Sequence, residues 1–306
     1  MIPLVFLTAL LASSAKASPV TRQDNQDIIN SQPIGYDPDF VRVLSDDDIV
    51  PEIRYIDFQD LSFNETLSTL EPFIPDDAAD ADVGKRYING ADDRYLYSST
   101  AYPFNTVGKL YWSNGVFCSG ALVGPRHVLT AKHCLVSGAS ATFAPSFDNG
   151  PRLGSGQVTL AVTTNLEWGT PCGWKGDWAV LILDNRLGDQ QGYMGVKLPD
   201  PGLQDRAIFN HIGYPGDRDS GNRPYRTPGN TVQSFRPWDC DSTGPFYTDT
   251  DTMGGQSGGP HWQDDGGPYI WGTLSVTFGQ GTVAWAGWGS GNQMLDTVSS
   301  LRSQYP

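Results

Sequence analysis

The residue types best suited to chemistry lie in three short segments of the 306-residue chain. In Gly254-Gly255-Gln256-Ser257-Gly258-Gly259-Pro260, four glycines surround one hydroxyl. That setting suits a nucleophile whose neighbouring N–H groups face outward. The N–H groups of Gly255 and Ser257 would bind the oxyanion of an acyl-transfer intermediate, a contribution of about 3–4 kcal/mol per donor in kcat. A phosphate loop would need a Gly-Lys-Ser/Thr ending and a following helical pattern, and neither occurs here. In Leu129-Thr130-Ala131-Lys132-His133-Cys134, a β-branched run closes on a histidine beside a cysteine. A general base needs fixed geometry before it needs a suitable pKa, and a bond from Cys134 to Cys118 would pin the backbone beside His133. His127, His211 and His261 lack such a setting and read as structural. In Gly176-Asp177-Trp178-Ala179-Val180-Leu181-Ile182-Leu183, an acid heads an apolar strand 44 residues after His133. Strand-end acids ordinarily face solvent, as Asp184 is expected to do. Buried, Asp177 would hold an imidazole in one tautomer and stabilise the imidazolium formed when it takes a proton.

Elements that could position these groups are legible as short apolar stretches between Gly, Pro, Asn and Asp turns: Val107 to Trp112, Val116 to Val123, Val158 to Thr163, Trp178 to Leu183, Ile208 to Tyr214, Ile270 to Thr277 and Val283 to Trp288. Such spacing predicts an all-β sandwich or pair of barrels. One helix is expected, at the C-terminus, with Asn292 as N-cap and Leu295, Val298 and Leu301 on its packed face.

The first 86 residues differ in composition from the rest. The formal charge of −14 divides into +1 for residues 1–17, −11 for 18–86 and −4 for 87–306. Ile2 to Ala12 is an apolar run followed by Ala15-Lys16-Ala17, the small-x-small pattern of a secretory cleavage site, so residues 1–17 are expected to be a signal peptide and the protein to be secreted. Residues 18–86 end at the dibasic pair Lys85-Arg86, the kind of site a processing protease cuts. Apolar islands around Phe40, Ile53 and Leu67 would dock on another surface, so an acidic propeptide is expected, rather than a solvated arm, released between Arg86 and Tyr87. The sole Asn-x-Ser/Thr site, at Asn64, lies in the same segment. Residues 87–306 form the remaining domain. Export puts Cys118, Cys134, Cys172 and Cys240 in an oxidising compartment, where four cysteines predict two disulfides with three pairings open. A Lys/Arg cluster and a run of roughly 20 apolar residues are both missing, which argues against nucleic-acid and membrane partners. A monomer is the expected state.

The blocks LTAKHC, GDWAVLIL and GGQSGGP, in the order His, Asp, Ser, resemble the signatures of chymotrypsin-like serine proteases across essentially all of residues 87–306. Within that superfamily, Gly90-Ala91-Asp92-Asp93-Arg94, Thr100-Ala101-Tyr102-Pro103-Phe104, Gly213-Tyr214-Pro215-Gly216-Asp217 and Asp251-Thr252-Met253 are similar to the glutamyl-endopeptidase or V8-like branch. The resemblance implies two six-stranded β-barrels with the triad His133, Asp177 and Ser257 at their interface, peptide or protein substrates, no metal or organic cofactor, and the disulfides Cys118–Cys134 and Cys172–Cys240. Trypsins keep an Asp immediately before the nucleophile, where it captures the N-terminal ammonium released on activation. Gln256 stands here instead, so that ion pair is unavailable.

By the same likeness the pocket for the residue preceding the cut, P1, includes Asp251, Thr252, Ser275, Val276 and Thr277. Thr252 matches a hydroxyl that the glutamyl branch places on the substrate carboxylate, whereas Leu274 stands where that branch has a histidine. Asp251 occupies the position of the acid that binds Arg or Lys in trypsins. Cleavage after Glu or Asp is the first expectation and after Arg or Lys the alternative, with a non-catalytic secreted binding module on the same fold as the rival class. Metalloprotease and aspartic-protease readings fail on spacing: no clustered His-Glu pattern occurs, and the Asp-Ser/Thr pairs at Asp241 and Asp249 lie side by side.

Overall fold

The computed structural model describes residues 34–56, 67–76, 92–280 and 283–306. The signal peptide, Asn64, the Lys85-Arg86 site and Tyr87 lie outside the described residues. Three short strands come from the acidic segment, β1 (Gly35–Tyr36), β2 (Glu52–Ile56) and β3 (Thr69–Leu70), and β4 (Tyr95–Leu96) follows it. The first barrel consists of β5 (Val107–Trp112), β6 (Val116–Gly124), β7 (His127–Thr130), β8 (Ala141–Pro145), β9 (Gly156–Thr164) and β10 (Ala179–Leu183). Its pairing runs β6-β5-β8-β9-β10-β7 and returns from β7 to β6, which closes the sheet. Inward-facing Leu110, Trp112, Leu122, Phe143 and Leu181 fill it completely. Closure removes the edges that an open sheet would expose.

The second sheet contains β11 (Gly195–Lys197), β12 (Phe209–Gly213), β13 (Tyr225–Asn230), β14 (Phe246–Thr248), β15 (Pro260–Asp264), β16 (Pro268–Gln280) and β17 (Val283–Ser290). Its order is β14-β17-β16-β15-β12-β13-β4, and a bridge from Val232 to Thr248 brings the chain leaving β13 against β14. The helices are short α1 (Pro171–Lys175) and α2 (Gly188–Gln191), then the terminal α3 (Asn292–Gln304). Met294, Leu295, Val298 and Leu301 of α3 join a core cluster that also holds Leu129 and Val180 of the first barrel and Ile212 and Ile270 of the second. The helix is where the three-residue apolar spacing predicted it, but its cap differs. Asn292 is the first helical residue, and the cap position is Gly291 at φ 101°, without a side-chain cap. Pro228 concealed β13, where a register shift accommodates a residue that cannot donate to the ladder.

The acidic segment lies on the body. β1 pairs antiparallel with β6, Gly35 opposite Phe117; β2 runs parallel to β9; β3 pairs with β11. Phe40 stacks on Tyr111 with centroids 4.5 Å apart. Lys109, fully buried beneath it, has its Nζ 4.4 Å from the Phe40 ring and 3.9 Å from the Asp37 carboxylate. Burial pushes the Lys109 ammonium down to about 8, and the Asp37 charge opposes that shift.

Candidate active site

His133 sits on a single 3₁₀ turn, Lys132–Cys134, directly after β7. The Cys118–Cys134 bridge ties that turn to β6, closing a span of 16 residues, and a loop of that size contributes about 3 kcal/mol. Asp177 occupies the corner between α1 and β10. The hydroxyls of Thr163 and Thr164 donate to the carbonyls of Trp178 and Gly176 on either side of it, at 2.5 and 3.0 Å. β10 pairs with β7, Ala179 opposite Thr130, and so the acid is delivered to the histidine. The His133 N–H donates to Asp177 Oδ1 at 2.9 Å, and His133 Nδ1 lies 2.6 Å from Asp177 Oδ2. On the other side of the ring, His133 Nε2 is 2.7 Å from Ser257 Oγ. Asp177 is 1% exposed and Ser257 is fully buried. Because Asp177 can only accept, Nδ1 carries the proton and the Nε2 lone pair faces the Ser257 hydroxyl.

The loop around Ser257 is built on close approaches that only glycine permits. At Gly255, φ is 96° and a Cβ would stand 2.3 Å from the Tyr214 carbonyl; at Gly258, φ is 77° and a Cβ would stand 2.1 Å from Thr130 Oγ1. Ser119 straps the loop to β6: its N–H donates to the Ser257 carbonyl at 2.8 Å and its hydroxyl to the Gly255 carbonyl at 2.9 Å.

The residues assigned to the pocket separate. The Ser275 hydroxyl donates to Asp177 Oδ2 at 2.6 Å, so this side chain is engaged by the carboxylate beside His133. Val276 is buried among Trp174, Tyr247 and Phe278, with its side chain in the core. Thr252 and Thr277 bring their hydroxyls together at 2.6 Å. Asp251 Oδ2 accepts the Asp93 N–H at 3.0 Å, so this carboxylate caps the segment that enters the domain. Leu274 is fully buried. The second disulfide, Cys172–Cys240, joins α1 to the chain before β14. Among the described residues, no group of three or more His, Cys, Asp or Glu is placed to hold a metal ion.

Asp93 faces Asp251 and Asp249, and burial followed by the Asp251 charge pushes its carboxyl up to about 7. A carboxyl raised in the folded state contributes stability that is present below its unfolded pKa and is lost as pH rises through the folded one. Asp93→Asn should therefore raise Tm at pH 8, where the wild type must ionise this group, and leave Tm little changed near pH 4. Thermal melts at the two pH values check this, and equal shifts at both would contradict it.

Arg94 was not picked out by sequence reasoning as a site residue, although it lies in the quoted Gly90 to Arg94 block. Its guanidinium reaches Gln256, 162 residues away, and only the fold reveals that contact. His211, read as structural, also touches Gln256.

The family profile described as Trypsin matches residues 96–292. Glutamyl endopeptidase from Bacillus licheniformis is 29% identical over 203 residues, 64% of this chain and 60% of that protein. Serine protease 23 from Bos taurus is 28% identical over 203 residues, 57% of this chain and 51% of that one. This chain thus spans between half and three-fifths of the length of these curated relatives. A solved structure of a Glu endopeptidase in complex with MPD superposes at a TM-score of 0.59 and 21% identity, covering 70% of this chain and 99% of that one, a likeness of fold. With the family profile spanning most of the domain and the paired sheets matching that fold, the chain belongs to the trypsin family, with the chymotrypsin-like serine protease fold.

Proposed function

We propose that this protein is a secreted serine endopeptidase, made with a signal peptide (1–17) and a propeptide (18–86) ahead of the protease domain (87–306). The observation that carries the reading is the continuous chain from Asp177 through His133 to Ser257, with contacts of 2.6 and 2.7 Å. Ser257 Oγ attacks the scissile carbonyl as His133 Nε2 takes its proton, and the Gly255 and Ser257 N–H groups receive the oxyanion. Collapse breaks the C–N bond, and His133 returns the proton to the departing amine. Water then attacks the acyl-enzyme with His133 again as base, releasing the acid and restoring Ser257. Asp177 keeps Nδ1 protonated and faces the imidazolium at each transfer. A fluorophosphonate probe tests the reading: mature protein should be labelled at Ser257, and failure of labelling would favour the binding-module alternative.

Cleavage after Arg86 is the proposed activation step, and N-terminal sequencing of secreted material should give Tyr87-Ile88-Asn89-Gly90. The position of β1 supports a blocking role for the propeptide. Phe117, opposite Gly35, is the ring that a Cβ at Gly255 would meet at 2.4 Å, so β1 lies one aromatic ring away from the oxyanion loop. Protein carrying Lys85-Arg86→Ala-Ala should stay uncut and fail to digest casein while still reacting with a small fluorophosphonate. Full casein digestion by the uncut chain would show that the segment is not inhibitory.

For P1 we propose Glu or Asp. The Thr252–Thr277 hydroxyl pair, the engagement of Asp251 by the Asp93 N–H, and the similarity to a glutamyl endopeptidase support that order over Arg or Lys.

A further inference from the structure

Gln256, the residue before the proposed nucleophile, is fully buried, and its whole carboxamide is engaged. Its Oε1 accepts from Arg94 Nη1 at 3.1 Å and from the Met253 N–H at 2.9 Å, and its Nε2 lies 3.1 Å from His211 Nε2. His211 Nδ1 stands 3.0 Å from the Pro260 carbonyl, which can only accept, so Nδ1 carries the ring proton and Nε2 accepts from Gln256. Burial holds the His211 ring neutral, down to about 4, which preserves that arrangement near neutral pH.

Arg94 completes the network. Its side chain is 4% exposed. Nε and Nη2 donate to the two Asp92 oxygens at 2.9 and 2.8 Å, and Nη1 and Nη2 donate to the two Asp217 oxygens at 3.0 and 2.7 Å. The remaining proton on Nη1 goes to Gln256, so all five guanidinium donors are used, and two carboxylates fix the plane of the group. The main chain of Gln256 is held as well, its N–H by the Met253 carbonyl and its carbonyl by the Gly259 N–H. Gly255 and Ser257, the two proposed oxyanion donors, flank this anchored residue.

We infer that Arg94, acting through Gln256, is the positioning residue that holds the nucleophile loop in its competent shape. The inference rests on Ser257 being the nucleophile. It assigns to a side chain in the body of the domain the task for which trypsins use a newly released N-terminal ammonium. One consequence is that loop assembly does not wait for cleavage, because the bonds exist with the acidic segment still docked. Activation then uncovers a site that is already formed.

The test uses the mature enzyme and four variants, Arg94→Met, Arg94→Lys, Gln256→Met and Arg218→Gln. For each, kcat and KM are read on one peptide substrate, together with the affinity for a peptide aldehyde of the same sequence, whose tetrahedral adduct carries the oxyanion. Arg94→Met should lower kcat by about 10², the loss typical of one oxyanion donor, with KM changed less than about threefold and aldehyde affinity falling in parallel. Arg94→Lys should recover part of the loss. Gln256→Met removes the acceptor while Arg94 keeps both carboxylates, so it should reproduce the defect and decides the matter if Arg94→Met fails to fold. Arg218→Gln, which removes the exposed pair with Asp92 and the contact with the Tyr225 ring but leaves both Arg94 bonds to Asp92, should leave kcat unchanged. Wild-type kcat in Gln256→Met, or lost kcat with unchanged aldehyde affinity, overturns the inference while leaving the protease assignment standing. An inactive wild type that fluorophosphonate does not label overturns both.

Discussion

Ser257→Ala is expected to fold as the wild type does and to lose on the order of 10⁶ in kcat, with His133→Ala losing about as much and the double variant scarcely more. The non-additivity follows from the geometry. With Nε2 2.7 Å from Oγ, base and nucleophile act in one proton transfer, and removing either abolishes the same step. Asp177→Asn should cost less, about 10⁴, because an amide reverses the polarity at Oδ2 and favours the wrong imidazole tautomer. Ser275→Ala should fall well short of that loss, since His133 keeps both of its own bonds to Asp177. Active-site titration alongside circular dichroism separates lost chemistry from lost fold. Wild-type peptidase activity in purified Ser257→Ala would remove Ser257 from the mechanism.

On peptides differing only at P1, Glu is expected to exceed Gln in kcat/KM by on the order of 10³, with Arg lower still. A site of hydrogen-bond donors rejects an analogue lacking the matching charge because its own polar groups are then left without partners. Thr252 and Thr277 supply two hydroxyls, and we propose that the α-amino group freed at Tyr87 by cleavage after Arg86 supplies the cation. Asp93, whose N–H is held by Asp251, is six residues from Tyr87, a span of at most about 20 Å of extended chain. Leu274 supplies no donor, so this chain must do without the histidine used by the glutamyl branch it resembles. Asp251→Asn should leave Glu cleavage unchanged or improved, because it removes a negative charge near the pocket. Dominant Arg or Lys cleavage that collapses in Asp251→Asn would replace the glutamyl assignment with a trypsin-like one. Mature protein bearing an acetylated N-terminus should lose Glu preference if the amine contributes.

Local patterns in the sequence carried much of this. Alternation and turn spacing marked seven of the strands, since inward side chains of a closed barrel must be apolar and their neighbours need not be. The glycines around Ser257 and the cysteine beside His133 were visible for the same reason: backbone conformation and covalent pinning are local demands. β8, β11, β13, β14 and β15 were missed, being short or interrupted by proline, and most are held by partners far along the chain. The apolar islands of the acidic segment suggested docking, and Phe40 does stack on Tyr111 while Val43 and Tyr55 stay exposed, but composition alone says nothing of which strand edge the segment joins.

What the sequence by itself determined was the chemistry available and its order along the chain: one hydroxyl among glycines, one histidine beside a cysteine, one acid heading an apolar strand. Only the tertiary structure decided which side chains meet. Ser275, expected in the pocket, turns its hydroxyl to Asp177; Asp251, expected at the pocket floor, caps Asp93; and Arg94 reaches Gln256 across 162 residues. The physical reason is range. Propensity and patterning act over a few residues, whereas a buried polar atom must find its partner wherever the packed chain brings one within about 3 Å.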